Sequence, residues 1–129
     1  MLHLLGLTDD YRSDGQVISQ VVRHPSRALL RARTLGTAYR MINSAVGPLA
    51  TRTLRADSRA LAGGSGSHDA RYVATERALT RIANQRDRLA VRMKAALAHA
   101  AAGHQVRPAT SRHLVARAHH LLREVDHLR

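Results

Sequence analysis

The sequence predicts an all-α protein, and three observations carry that prediction. Tyr72, Leu79, Ile82, Leu89, Met93 and Leu97 fall on one helical stripe. Leu114, Ala118, Leu121, Val125 and Leu128 repeat on a second stripe, with a period near 3.5. Gly103 and Pro108 separate the two. Amphipathic helices joined by so short a loop pack antiparallel, so a long hairpin of about 69–102 and 110–128 is expected, packed with shorter helices from 16–61.

Each element has its own signal. Residues 1–7 are a short apolar piece closed at Gly6, and 8–15 form a polar turn rich in Asp, Ser and Gly. Residues 16–22 are a brief apolar run cut off at His24-Pro25, because a residue before proline is pushed out of the α region. Ser26 is placed to cap a helix over 26–46 on which Leu29, Ala32, Leu35, Tyr39, Ile42 and Val46 recur. Gly47-Pro48 breaks that pattern, and Pro48 suits the first turn of a helix carrying Leu49, Leu54 and Leu61. Gly63-Gly64-Ser65-Gly66-Ser67 reads as a linker with no helix propensity. The helix after it starts near Asp69, whose charge suits the N-terminal dipole, and at ~1.5 Å per residue it is about 50 Å long. Gly103 ends it, Pro108 delays the chain from resuming, and Thr110 or Ser111 is expected to cap the last helix.

Composition excludes several classes of function. The chain has 129 residues, enough for one domain of ordinary size that buries roughly two-thirds of its unfolded surface. It has no Cys, so disulfides, thiolate metal sites and cysteine nucleophiles are absent. It has no Phe or Trp and three Tyr, too few aromatic platforms for the usual stacking of single-stranded nucleic acid. No apolar run approaches the ~20 residues needed to cross a bilayer. The opening MLHLLGL is too short, and lacks the basic start and cleavage site, for a secretory signal, so a cytoplasmic location is expected of the chain as written.

The net charge is +12, and it is uneven. Residues 1–22 hold one base against three acids, whereas 23–129 hold 20 bases against 6 acids. Arg outnumbers Lys by 20 to 1, which reads first as the mark of a GC-rich genome and second as a preference for guanidinium chemistry. Asp57, Asp69, Glu76 and Glu124 have no Arg or Lys three or four positions away; Asp126 does, in Arg123 and Arg129. Arg52, Arg55 and Arg59 share one helix face, and Arg77, Arg81, Arg88 and Arg92 share another. Unpaired guanidinium rows suit phosphate, since each fork matches two of its oxygens. Arg52, Arg55 and Arg59 are therefore the candidate anion contacts, set against the plainer reading of a solvated basic surface that attracts anionic polymers non-specifically.

The His residues invite a metal reading. His120, Glu124 and His127 stand at i, i+4 and i+7, and Glu124-x-x-His127 has the spacing of carboxylate di-iron bundles. Such sites need a second motif and more inward Glu than Glu76 can supply, so no metal or other cofactor is assigned. His113, His120 and His127 also form a stripe at heptad spacing, read as a solvated face. No short-range arrangement of nucleophile, base and orienting acid stands out, and Gly63–Gly66 is not a phosphate loop because no Lys-Ser/Thr follows it. No catalytic residue is assigned.

Two stretches carry a resemblance. Leu4-Leu5-Gly6-Leu7-Thr8-Asp9-Asp10-Tyr11, followed by Asp14-Gly15-Gln16-Val17-Ile18, is similar to the end of the catalytic domain of alkaline-phosphatase-superfamily phosphoesterases, sulfatases included. There a "Pro-Thr-Leu-Leu-x-Leu-x-Gly" helix precedes an Asp-Gly-Arg turn; here Gln16 replaces the Arg. The second stretch comprises Tyr39, Ile42-Asn43, Val46-Gly47-Pro48-Leu49, Thr53-Leu54-Arg55-Ala56, Ala60-Leu61, Tyr72, Leu79, Arg86-Asp87-x-Leu89-Ala90 and the last helix. It resembles the helical C-terminal extension of large actinobacterial proteins of the alkaline phosphatase family. Asp57 stands where that pattern has a small hydroxyl residue, and Ala102-Gly103 lacks a nearby aromatic.

The resemblance implies a parent chemistry without its machinery. In that superfamily two metal ions held by Asp and His activate a Thr or Ser nucleophile, on motifs upstream of the helix that resembles residues 1–7. It implies that 1–22 is the remnant of the end of an α/β catalytic domain and 23–129 a C-terminal helical domain with its linker at 63–67. The expectation is a non-catalytic C-terminal fragment of a metal-dependent phosphoesterase, whose partner is the missing catalytic domain. Two alternatives stand beside it: a basic helical module binding nucleic acid or an acidic protein, and a subunit of a split hydrolase.

Overall fold

Ser26 opens the first helix as its spacing predicts. Its hydroxyl accepts from the Leu29 N–H at 3.2 Å, and α1 runs over Arg27–Asn43. A computed structural model describes residue 24, residues 26–62 and residues 69–128, and among these residues every regular element is a helix. α2 is Pro48–Ala62, α3 is Asp69–Ala101 and α4 is Pro108–Asp126. The expected pieces at 1–7 and 16–22, and the linker at 63–67, lie outside the described residues.

α1 and α2 are two arms of one bent rod. The Ser44 N–H still bonds to the Arg40 carbonyl at 3.0 Å, and the Gly47 N–H turns back to the Ser44 carbonyl at 3.0 Å. A Cβ on Gly47 would lie 2.9 Å from the Arg40 carbonyl oxygen and 3.1 Å from Ser44 Cβ, so the elbow closes only around glycine. Pro48 then occupies the first turn of α2, where its missing N–H costs nothing. The bend ends α1 earlier than the apolar periodicity expects, and Val46 sits at its apex, 86% exposed, instead of in the core.

The α3 C-terminus is closed by paired backbone bonds. The His104 N–H reaches the His99 carbonyl at 3.2 Å and the Gly103 N–H reaches Ala100 at 3.1 Å, with Gly103 at φ 83°. This is the Schellman arrangement, and the side-chain contact that accompanies it is a stack of the His99 and His104 rings, centroids 4.6 Å apart. α4 begins at Pro108, earlier than the expected cap at Thr110 or Ser111, because proline starts a helix as readily as it delays one. Ser111 is instead buried inside α4.

Cross-helix contacts set the register. Gly36 on α1 faces Leu97 on α3, Ile42 and Leu49 share a groove with Leu79 and Ile82, and Asp57 on α2 lies close enough to Tyr72 to act on its phenol. The α1–α2 rod thus runs back along α3, antiparallel to it. Arg117 on α4 meets Gln85 on α3, so the expected hairpin forms, and each helix touches the other three. The core is built from Leu35, Ile42, Ile82, Met93, Leu114 and Leu121, each fully buried and each stabilising the fold by about 1.5–3 kcal/mol.

The leucines that α2 carries do not all face inward. Leu49 and Ala56 point inward at 3% and 6% exposure, while Leu54 and Leu61 are 64% and 62% exposed. At ~100° per residue Leu54 lies about 140° around the helix from Leu49, so the three leucines do not share one stripe.

Candidate functional site

The residues with chemistry lie on three surfaces, and the first is the end of α2. Arg52, Arg55, Ala56 and Arg59 face Val125, Asp126 and Leu128 of α4 across a shallow depression of about 100 Å³. Arg52 is only half-exposed. Its guanidinium donates to the Leu122 carbonyl at 3.2 Å and is ion-paired with the Asp126 carboxylate. This sets a cation against the last turn of α4, where it suits the helix dipole. Arg55 and Arg59 stay exposed beside it. An anion entering here meets a carboxylate and two guanidiniums that make no ion pair among the described residues, instead of three. Asp126 was expected to pair locally with Arg123 or Arg129; its described partner is 74 residues away.

The second surface is a groove of about 480 Å³ inside the α1–α2 elbow. Ile42, Leu49, Leu79 and Ile82 line its apolar part, and Asn43, Thr53, Thr80 and Arg86 its polar part. Three of these polar groups, on Asn43, Thr53 and Arg86, are occupied by neighbours on their own helices. Asn43 Nδ2 donates to the Tyr39 hydroxyl at 2.9 Å, Thr53 Oγ1 to the Ala50 carbonyl at 2.8 Å, and Arg86 Nη2 to Asp87 Oδ1 at 2.6 Å. No acid–base pair faces the groove among the residues that line it.

The third surface is the outward side of α3. Arg77, Arg81, Arg88 and Arg92 are all exposed there, and among the described residues none of them makes an ion pair. Arg117 of α4 donates to Gln85 Oε1 at 3.3 Å, next to this row. Sequence spacing found the row on α3 but not Arg117, which arrives from a helix 32 residues further on.

His120, Glu124 and His127 do not gather as a metal site. His120 Nδ1 lies 3.6 Å from Glu124 Oε2, and His127 is the residue that closes α4. Among the described residues no three of His, Cys, Asp or Glu come together to hold a metal ion. The Glu76 carboxylate raises the Tyr72 phenol above its ordinary range, with smaller contributions from burial and from Asp57. Among the described residues no helix is long and apolar enough to cross a membrane.

Compared with protein families, with curated proteins and with solved structures, the chain matches none.

Proposed function

We propose that this chain is a non-catalytic helical module of the kind that closes alkaline-phosphatase-family phosphoesterases, a packing element with no hydrolytic activity of its own. The observation that carries the reading is the elbow. The residues on which the resemblance rests are also the ones that shape the bend. Tyr39 accepts from Asn43, Gly47 leaves no room for a Cβ against Arg40, Pro48 starts α2, and Leu49 is buried at 3% exposure. Further along, Leu89 and Ala90 of the Arg86-Asp87-x-Leu89-Ala90 stretch lie in the core. A pattern shared for reasons of folding supports a shared helical module.

The parent class works through two metal ions, and the described residues do not fit such a centre, since no three potential ligands converge. No chemical step is therefore assigned to this chain. The test is a phosphate-ester and sulfate-ester hydrolysis assay on the purified chain with Zn, Mg or Ca supplied. No turnover is expected, and sustained metal-dependent turnover overturns the reading. A second test is the DNA upstream of the Met1 codon. An in-frame continuation encoding "Asp-x-x-Pro-Thr" is expected; an unrelated sequence there counts against the reading. Co-purification with a separate chain that carries the Asp/His motifs would make the protein a subunit of a split hydrolase instead.

A further inference from the structure

The outward face of α3 carries charge that the fold does not use. From Arg77 to Arg92 the row spans about 22 Å of helix, at ~1.5 Å per residue, and stays within an arc of about 60°. On this face Asn84 lies within the row and Ala74 and Ala95 flank it, all exposed and uncharged. Glu76 and Asp87 of α3 point elsewhere, about 80–100° to one side, and Asp87 is engaged by Arg86. On the other side Gln85 holds Arg117 at 3.3 Å, and because Gln85 is neutral the guanidinium keeps its charge. The acid that follows Arg117 on α4, Glu124, is half-buried, with its Oε2 3.6 Å from His120 Nδ1.

We propose that this face, Arg77, Arg81, Arg88 and Arg92 with Arg117 beside them, docks on the phosphate backbone of a nucleic-acid duplex without reading its sequence. Guanidinium forks match phosphate oxygens, and a straight row about 22 Å long matches a polymer that presents a negative charge every ~1.7 Å of its axis. A single strand is the poorer fit. Binding of that kind leans on aromatic stacking, and this face has no aromatic side chain. The exposed row also differs from the α2 cluster, where Arg52 is already bound to Asp126.

The test measures binding of the full chain to a duplex of about 20 base pairs by fluorescence anisotropy across a salt series. Five phosphate contacts predict a log–log salt slope of about −4 to −5. Changing Arg77, Arg81, Arg88 and Arg92 together to Gln is expected to flatten the slope by about 3 to 4 and weaken binding at low salt at least ~100-fold. Changing the same four to Lys should keep most of the slope. An equal loss of charge elsewhere, at the exposed Arg27, Arg33, Arg112 and Arg123, all to Gln, should alter the slope by less than about one unit. No binding by the unmodified chain overturns the proposal. So does equal weakening by the two Gln sets, which would mean attraction to net charge alone. Competition by polyglutamate as effective as that by unlabelled duplex also overturns it, in favour of an acidic protein partner. Circular dichroism confirms that each variant is helical, and the salt slope of the unmodified chain stands as a test that needs no variant.

Discussion

Arg52 on α2 and Asp126 on α4 are ion-paired across the bundle, with the same guanidinium donating to the Leu122 carbonyl at 3.2 Å. One side chain thus ties the second arm of the bent rod to the C-terminal end of α4. The link is structural, and it takes Arg52 out of the set of cations available to a ligand.

Arg52→Gln is therefore expected to cost about 1 kcal/mol of stability, the ordinary size for a partly exposed pair with one carbonyl bond. Urea unfolding measures this. Duplex affinity of the same variant should be within about twofold of the unmodified chain, because its charge is already neutralised by Asp126.

Side chains with similar hydrophobicity should separate sharply by position. Met93→Ala, Leu114→Ala and Leu121→Ala open cavities among fully buried neighbours and should each cost about 2–5 kcal/mol. Leu54→Ala and Leu61→Ala, at 64% and 62% exposure, should change stability by about 0.5 kcal/mol or less. Chemical denaturation of the five variants decides it, and a large loss at Leu54 or Leu61 would place α2 in a different rotation.

The two glycine sites should fail for different reasons. Gly47→Ala forces a Cβ against the Arg40 carbonyl oxygen at 2.9 Å, a backbone collision expected to cost about 1–3 kcal/mol and to open the elbow. Gly103→Ala meets no neighbour within 4 Å but must hold φ 83°, at about 1–2 kcal/mol. Thermal unfolding should show both losses. Hydrogen exchange should place the first at residues 40–51 and the second at the ends of α3 and α4.

Tyr72 should be slow to ionise. The Glu76 carboxylate raises its phenol above the ordinary value, so the folded state holds that proton more tightly than the unfolded chain does. The resulting stability is fully present below the ordinary tyrosine range and is lost as pH rises through the folded value. Phenolate absorbance should show a late-titrating group that disappears in Tyr72→Phe, and Glu76→Gln should bring it back toward the ordinary range.

The helical hairpin was legible because its signals are local. Leu114, Ala118, Leu121 and Val125 repeat at helical spacing, and all four are buried. Ser26 reads as a cap and acts as one. The signals failed where one residue type has two uses. Pro108 begins α4 instead of holding it off, and Val46 fits the α1 period yet sits at the elbow, 86% exposed. At the candidate sites the arginine rows were visible as spacings, but their partners were not.

The amino-acid order by itself determined that the chain is helical, where its long helices run, and which face of the hairpin is apolar. Those properties come from hydrogen bonds and side-chain contacts three or four residues apart. Only the tertiary structure decided that Arg52 meets Asp126, that Arg117 joins Gln85, and that Leu54 and Leu61 face outward. Those outcomes depend on the register between helices, which the Gly47 elbow and the packing of the whole core set together, and no short window of sequence contains it.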